Sequence, residues 1–175
     1  MVDEGKRTAR RKDAEETERR LLARGKRLWP QLSDDEQSDW LDQHREFAKS
    51  VQTHFPQLPL RVIETKYYLI LTDLPDVEAR KYLAYLDTLY DTMCRAFGIP
   101  VGNNIWCGKC VVVAFQNRAD FIRFEVEVMK NTKGNPTKSG GICHANANGR
   151  VVISLFKGDF TARFATVLVH ETSHG

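Results

Sequence analysis

Val151-Val152-Ile153-Ser154-Leu155-Phe156 is a short apolar run that leads through Lys157-Gly158-Asp159 into Phe160 to His174. The run predicts a strand, Gly158-Asp159 breaks it, and that pair can cap a helix. In that helix Phe160, Phe164, Val167 and Leu168 share one face, as a helix lying on a sheet requires. The same helix carries His170-Glu171-Thr172-Ser173-His174.

Working upstream, Gly140-Gly141-Ile142-Cys143-His144 and the strand at Val151 flank Asn146-Ala147-Asn148-Gly149, whose Asn-Gly pair predicts a hairpin. Lys130 to Ser139 lacks periodicity and reads as a loop. Val111-Val112-Val113-Ala114-Phe115 predicts a buried strand, with Asn117 capping a helix from about Arg118 to Met129. Leu60 to Leu71 is β-branched and aromatic with polar residues at its centre, which predicts one strand or two short ones around Glu64 to Lys66. Asp73-Leu74-Pro75 then starts a helix whose stripe of Tyr82, Leu86, Leu89, Tyr90, Met93 and Phe97 runs to Gly98. These alternations predict an α+β fold in which a mixed sheet packs on helices.

The first fifty-odd residues are richly charged, and their apolar positions recur loosely at helical spacing. One helix is expected from about Thr8 to Leu28, before Pro30. A second opens at Ser33-Asp34-Asp35-Glu36, where Ser33 and Glu36 can form a capping box. Residues 1–58 therefore read as a charged helical appendage or linker, and residues 60–175 as the folded domain.

Composition narrows the function classes. A hydrophobic fraction of 42% and a charged fraction of 28% are ordinary for a globular protein, and no apolar run is long enough for a membrane span. The beginning of the chain lacks the apolar segment of a secretory signal, so a cytoplasmic location is expected. The net charge of +3 is mild, and the basic residues between 6 and 27 alternate with Asp13, Glu15, Glu16 and Glu18, which argues against a nucleic-acid partner. The glycines at 134, 140 and 141 are followed by no Gly-Lys-Ser/Thr, which argues against a nucleotide loop.

His170 and His174 stand one helical turn apart, so their imidazoles can converge on one ion. Zn2+ suits two neutral imidazoles with an open position for water, and Glu171, beside the first ligand, is placed to act as general base in amide hydrolysis. Two histidines do not complete such a site, and the chain stops at Gly175, so the expectation is a fragment lacking its third ligand. His144 is a candidate for that ligand from within the chain, although a structural role is the more ordinary one for such a histidine. A different class of reading is a non-catalytic binding module with a coincidental or degenerate motif.

The four cysteines allow several arrangements. Cys107-Gly108-Lys109-Cys110 has zinc-knuckle or redox spacing, and Cys143 with His144 would extend it to a Cys3His site, although neighbours on a strand point to opposite faces. A bridge between Cys110 and Cys143 is open if they lie on neighbouring strands, and free thiols are the simplest alternative. Cys94 reads as a core residue.

Through Glu64 to Leu71, Trp106 to Cys110, Gly140 to His144 and Val167 to Gly175, the chain resembles the peptidase MA-like gluzincins, with the zinc motif the most specific segment. The resemblance covers roughly residues 60 to 175. It implies a thermolysin-like, zincin-type catalytic subdomain whose edge strand, at Gly141 to His144 or Val151 to Phe156, pairs with an extended peptide or protein substrate. Gly141 and Ile142 would take part in substrate binding. His170 and His174 would be ligands and Glu171 the base, with a third ligand, a Glu, on a helix after the motif.

Overall fold

The computed structural model describes residues 32–100, 102–131, 136–146, 149–158 and 161–172. The helix expected at Thr8 to Leu28 lies outside them. Among the described residues the architecture is α+β: a mixed five-stranded sheet and four α-helices, α1 (Asp34–His54), α2 (Asp76–Phe97), α3 (Arg118–Glu127) and α4 (Thr161–Thr172). No helix among the described residues is long and apolar enough to cross a membrane.

The strands are β1 (Arg61–Glu64), β2 (Tyr68–Thr72), β3 (Cys110–Phe115), β4 (Gly141–Ala145) and β5 (Val151–Phe156), in the spatial order β1-β2-β3-β5-β4. The central three are parallel, with Tyr68 opposite Cys110 and Val111 opposite Val152, and an antiparallel strand closes each side. The two strands expected around Glu64 to Lys66 are β1 and β2. Their turn is held by Asp87, which accepts from Thr65 Oγ1 at 2.8 Å and from the amides of Lys66 and Tyr67 at 3.0 and 3.2 Å.

Helices cover both faces of the sheet, so β3 is buried along its whole length and its sequence is apolar without alternation. Ile70, Val112, Ala114, Ile153 and Leu155 face α2 and Leu168 of α4. Leu69, Leu71, Val111, Val113 and Val152 face α1 and α3, where Phe121 and Phe124 are fully buried. Each such side chain contributes roughly 1.5–3 kcal/mol through its burial. The inward row of α2 is Ala79, Leu83, Leu86, Tyr90 and Cys94, while Phe97, expected in the apolar stripe, is 59% exposed. That inward row packs with Tyr67, Tyr68 and Trp106 in one core cluster.

Ser33 and Glu36 form the expected capping box, the Ser33 amide donating to the Glu36 carboxylate at 2.8 Å and Ser33 Oγ accepting from the Glu36 amide at 3.3 Å. The helix they open shares the core of the sheet: Ala48, Val51 and Phe55 are fully buried against Leu69, Val113 and Phe115. At its start Gln37 Oε1 accepts from the Gly108 amide at 2.7 Å, and Gln37 Nε2 donates to the Trp106 carbonyl at 3.3 Å. Gly108 has φ +72°, and a Cβ there would lie 2.9 Å from the Leu41 amide nitrogen, so only glycine permits this seating.

His44, in the same buried row of α1, is fully enclosed with neither ring nitrogen hydrogen-bonded. Burial, and then the Arg150 guanidinium, lower its pKa from 6.5 to about 4. The unfolded chain takes up a proton below about pH 6.5 that the folded chain refuses until about pH 4, so stability is lost as pH falls through that window. Urea unfolding should show the wild type losing on the order of 2 kcal/mol more between pH 7 and pH 5 than His44→Leu does. Equal losses in the two proteins would contradict this burial of a neutral imidazole.

Candidate functional site

Helix α4 lies on the α2 side of the sheet against β4 and β5, with Leu168 buried and Thr172 anchored by its hydroxyl to the Leu168 and Val169 carbonyls at 2.8 and 3.0 Å. This seating leaves His170 exposed and Glu171 half-buried at the sheet margin. His174 lies outside the described residues. Among the described residues no three His, Cys, Asp or Glu side chains assemble into a metal cage.

Glu171 reaches an open cleft of about 420 Å³, lined also by Asn131, Ser139, Gly141, Ile142 and Cys143. The cleft follows the outer side of β4, which is the edge strand; β5 is interior, bonded to β3 and β4. Of the two segments named for a substrate-binding edge, the geometry therefore leaves Gly141 to His144. The Asn146 amide bonds the Arg150 carbonyl at 3.0 Å and the Phe156 amide the Gly140 carbonyl at 3.4 Å, which fixes the phase of the ladder. By the alternation of an antiparallel pair, the backbone groups of Ile142 and His144 turn to β5, and those of Gly141, Cys143 and Ala145 turn outward. Gly141 thus offers backbone groups to the cleft, whereas Ile142 meets it without them. Cys143, which the sequence marked only as a thiol, shares the outward orientation, and only the phase of the ladder reveals it.

Gly141 is where helix and edge strand approach most closely. A Cβ there would lie 2.7 Å from Val167 Cγ1, 3.1 Å from Glu171 Cγ and 3.1 Å from Leu155 Cβ. The absence of a side chain lets Glu171 stand directly beside the strand.

Cys143 has its thiol on this same face, its pKa pushed up to about 11 by burial and then by the Glu171 carboxylate. It is therefore a protonated thiol at neutral pH and no ready nucleophile. His144 points to the opposite face, where its Nε2 lies 2.9 and 3.0 Å from the two carboxylate oxygens of Glu125 on α3. That orientation removes His144 as a third ligand beside Glu171 and prevents it from joining Cys143 in one site. All four cysteines are free. Cys110 and Cys143 do not occupy neighbouring strands, because β5 runs between β3 and β4, and this overturns the expected opportunity for a bridge. Cys107 and Cys110 bracket a turn fastened by amides, in which Asn104 Nδ2 donates to the Gly108 carbonyl at 2.6 Å and Asn104 Oδ1 accepts from the Trp106 amide at 3.0 Å. Burial raises the pKa of both thiols.

Comparisons with protein-family models, with curated proteins and with solved structures find no match to this chain.

Gly141→Ala is expected to lower stability by roughly 1–3 kcal/mol, the usual result of forcing an atom into packed surroundings. Chemical denaturation measures it, and an unchanged midpoint would mean that α4 does not sit this close to β4.

Proposed function

We propose that the chain carries the motif helix and edge strand of a zinc-dependent hydrolase of zincin type, acting on the amide bonds of an extended peptide. The observation that carries this reading is the position of Glu171, in a cleft and beside the outward edge of β4. A carboxylate there stands next to a strand able to align a peptide backbone. Its neighbour His170 is exposed on the same helix, while Leu168 and Thr172 are buried.

The donor set suits zinc, since His170 and His174 supply two imidazoles one turn apart by their spacing, and His170 is accessible. Zinc held by them would polarise the scissile carbonyl and acidify a water. Glu171 would be the base that takes a proton from the attacking water and returns it to the leaving amine. The outward amides and carbonyls of Gly141, Cys143 and Ala145 pair with the peptide and orient the scissile bond. Cys143 stays protonated beside Glu171 and takes no covalent part. In this reading the third protein ligand is a carboxylate supplied after the motif, as the gluzincin resemblance implies.

Glu171→Gln should lower peptide hydrolysis by about 10²- to 10⁴-fold with zinc content unchanged, because the base is lost and the imidazoles remain. His170→Ala should lower both. A fluorogenic peptide library and elemental analysis measure the two quantities. Both are measured on protein that includes the carboxylate ligand after the motif; there, full hydrolysis by Glu171→Gln would sink the mechanism, and peptide binding without cleavage would favour a binding module.

A further inference from the structure

Glu125 is a charged residue with no exposed surface, on the side of the sheet away from Glu171. Its two oxygens gather groups from three segments: Ser154 Oγ of β5 at 2.5 Å, His144 Nε2 of β4 at 2.9 and 3.0 Å, and Asn131 Nδ2 of the loop after α3 at 2.7 Å. The Asn131 amide also donates to the Glu125 carbonyl at 2.8 Å. Burial alone would raise the carboxyl pKa, but the bonds from His144, Ser154 and Asn131 outweigh it and hold the group below its ordinary range. A buried carboxylate would be strongly destabilising without these donors.

The cluster bears on β4 in particular. That strand is only Gly-Ile-Cys-His-Ala, and among the described residues it pairs on one side alone. A hydrophobic pattern this thin specifies register weakly, and a slip of one residue would carry every side chain to the other face. His144 is the one long polar side chain on the strand, and Glu125 is where it ends. Asn131, another ligand of that carboxylate, lines the cleft itself.

We propose that Glu125 is a positioning residue that fixes the register of the edge strand through His144, and so holds Gly141 and Cys143 against Glu171. Its part in hydrolysis rests on the function proposed above; the fixing of the register does not. A carboxylate can accept from all three groups at once, whereas the amide nitrogen of a glutamine would force Ser154 or His144 to become the acceptor and would lose a charge-assisted bond.

Glu125→Gln, which preserves volume, tests this by site-resolved hydrogen exchange. The Ile142 and His144 amides, which bond to β5, should exchange about 10-fold or more faster while the β2 and β3 amides keep their protection. Cys143 should be alkylated faster by a similar factor. Ser154→Ala, which leaves the bond to His144 intact, should leave Ile142 and His144 protected. If peptide is hydrolysed, Glu125→Gln should raise KM by about 10-fold with kcat changed far less, since strand pairing is weakened and Glu171 is not altered. Wild-type exchange at Ile142 and His144 in Glu125→Gln would overturn the proposal, as would loss of protection throughout the sheet. Should protein that includes the third ligand hydrolyse no peptide, the proposed function falls, and the exchange data still decide whether Glu125 sets the edge.

Discussion

Helix α4 approaches β4 so closely at Gly141 that a single methyl group would collide with Val167, Leu155 and the stem of Glu171. The cleft depends on this contact. Only with the helix pressed onto the strand does Glu171 stand at the margin of the sheet, with the outward backbone of β4 beside it. The remainder of α4 follows, since burying Leu168 and Thr172 on the sheet side turns His170 to the surface.

The edge strand is held from both sides by different means. Toward α4 the restraint is steric, the fit of Val167 and Glu171 over a glycine. Toward α3 it is electrostatic, a buried carboxylate collecting donors from His144, Ser154 and Asn131. Apolar packing tolerates sliding, whereas hydrogen bonds to a buried charge do so poorly, because a displaced donor leaves the carboxylate unpaired in a low dielectric. The far face carries a counterexample in His44, a polar ring enclosed without hydrogen bonds and kept neutral by its surroundings.

Much of the fold was legible in the sequence. The apolar run at Val111 to Phe115 and the Asn-Gly turn before Val151 marked β3 and the β4-β5 hairpin, and the capping box marked the start of α1. The contribution of α1 to the core was hidden because its fully buried row contains His44 and the small Ala48, while its conspicuous apolar residues, Trp40 and Phe47, are only half-buried. A small side chain gives little hydropathy signal yet permits the closest approach between layers. The rotation of α2 was missed for the same reason, since Ala79 and Cys94 face inward where Phe97 had the stronger claim by size.

The chain by itself determined the helix bearing His170 and Glu171, the candidate chemistry of those side chains, and the strand-turn-strand that precedes them, because helical spacing and turn chemistry are local. Strand order, and with it everything about the edge, was decided by tertiary structure. That order put β5 between Cys110 and Cys143, left β4 at the edge, and brought His144 to Glu125 of α3. The partners in these arrangements lie tens of residues apart in the chain, and no local pattern records which of them meet.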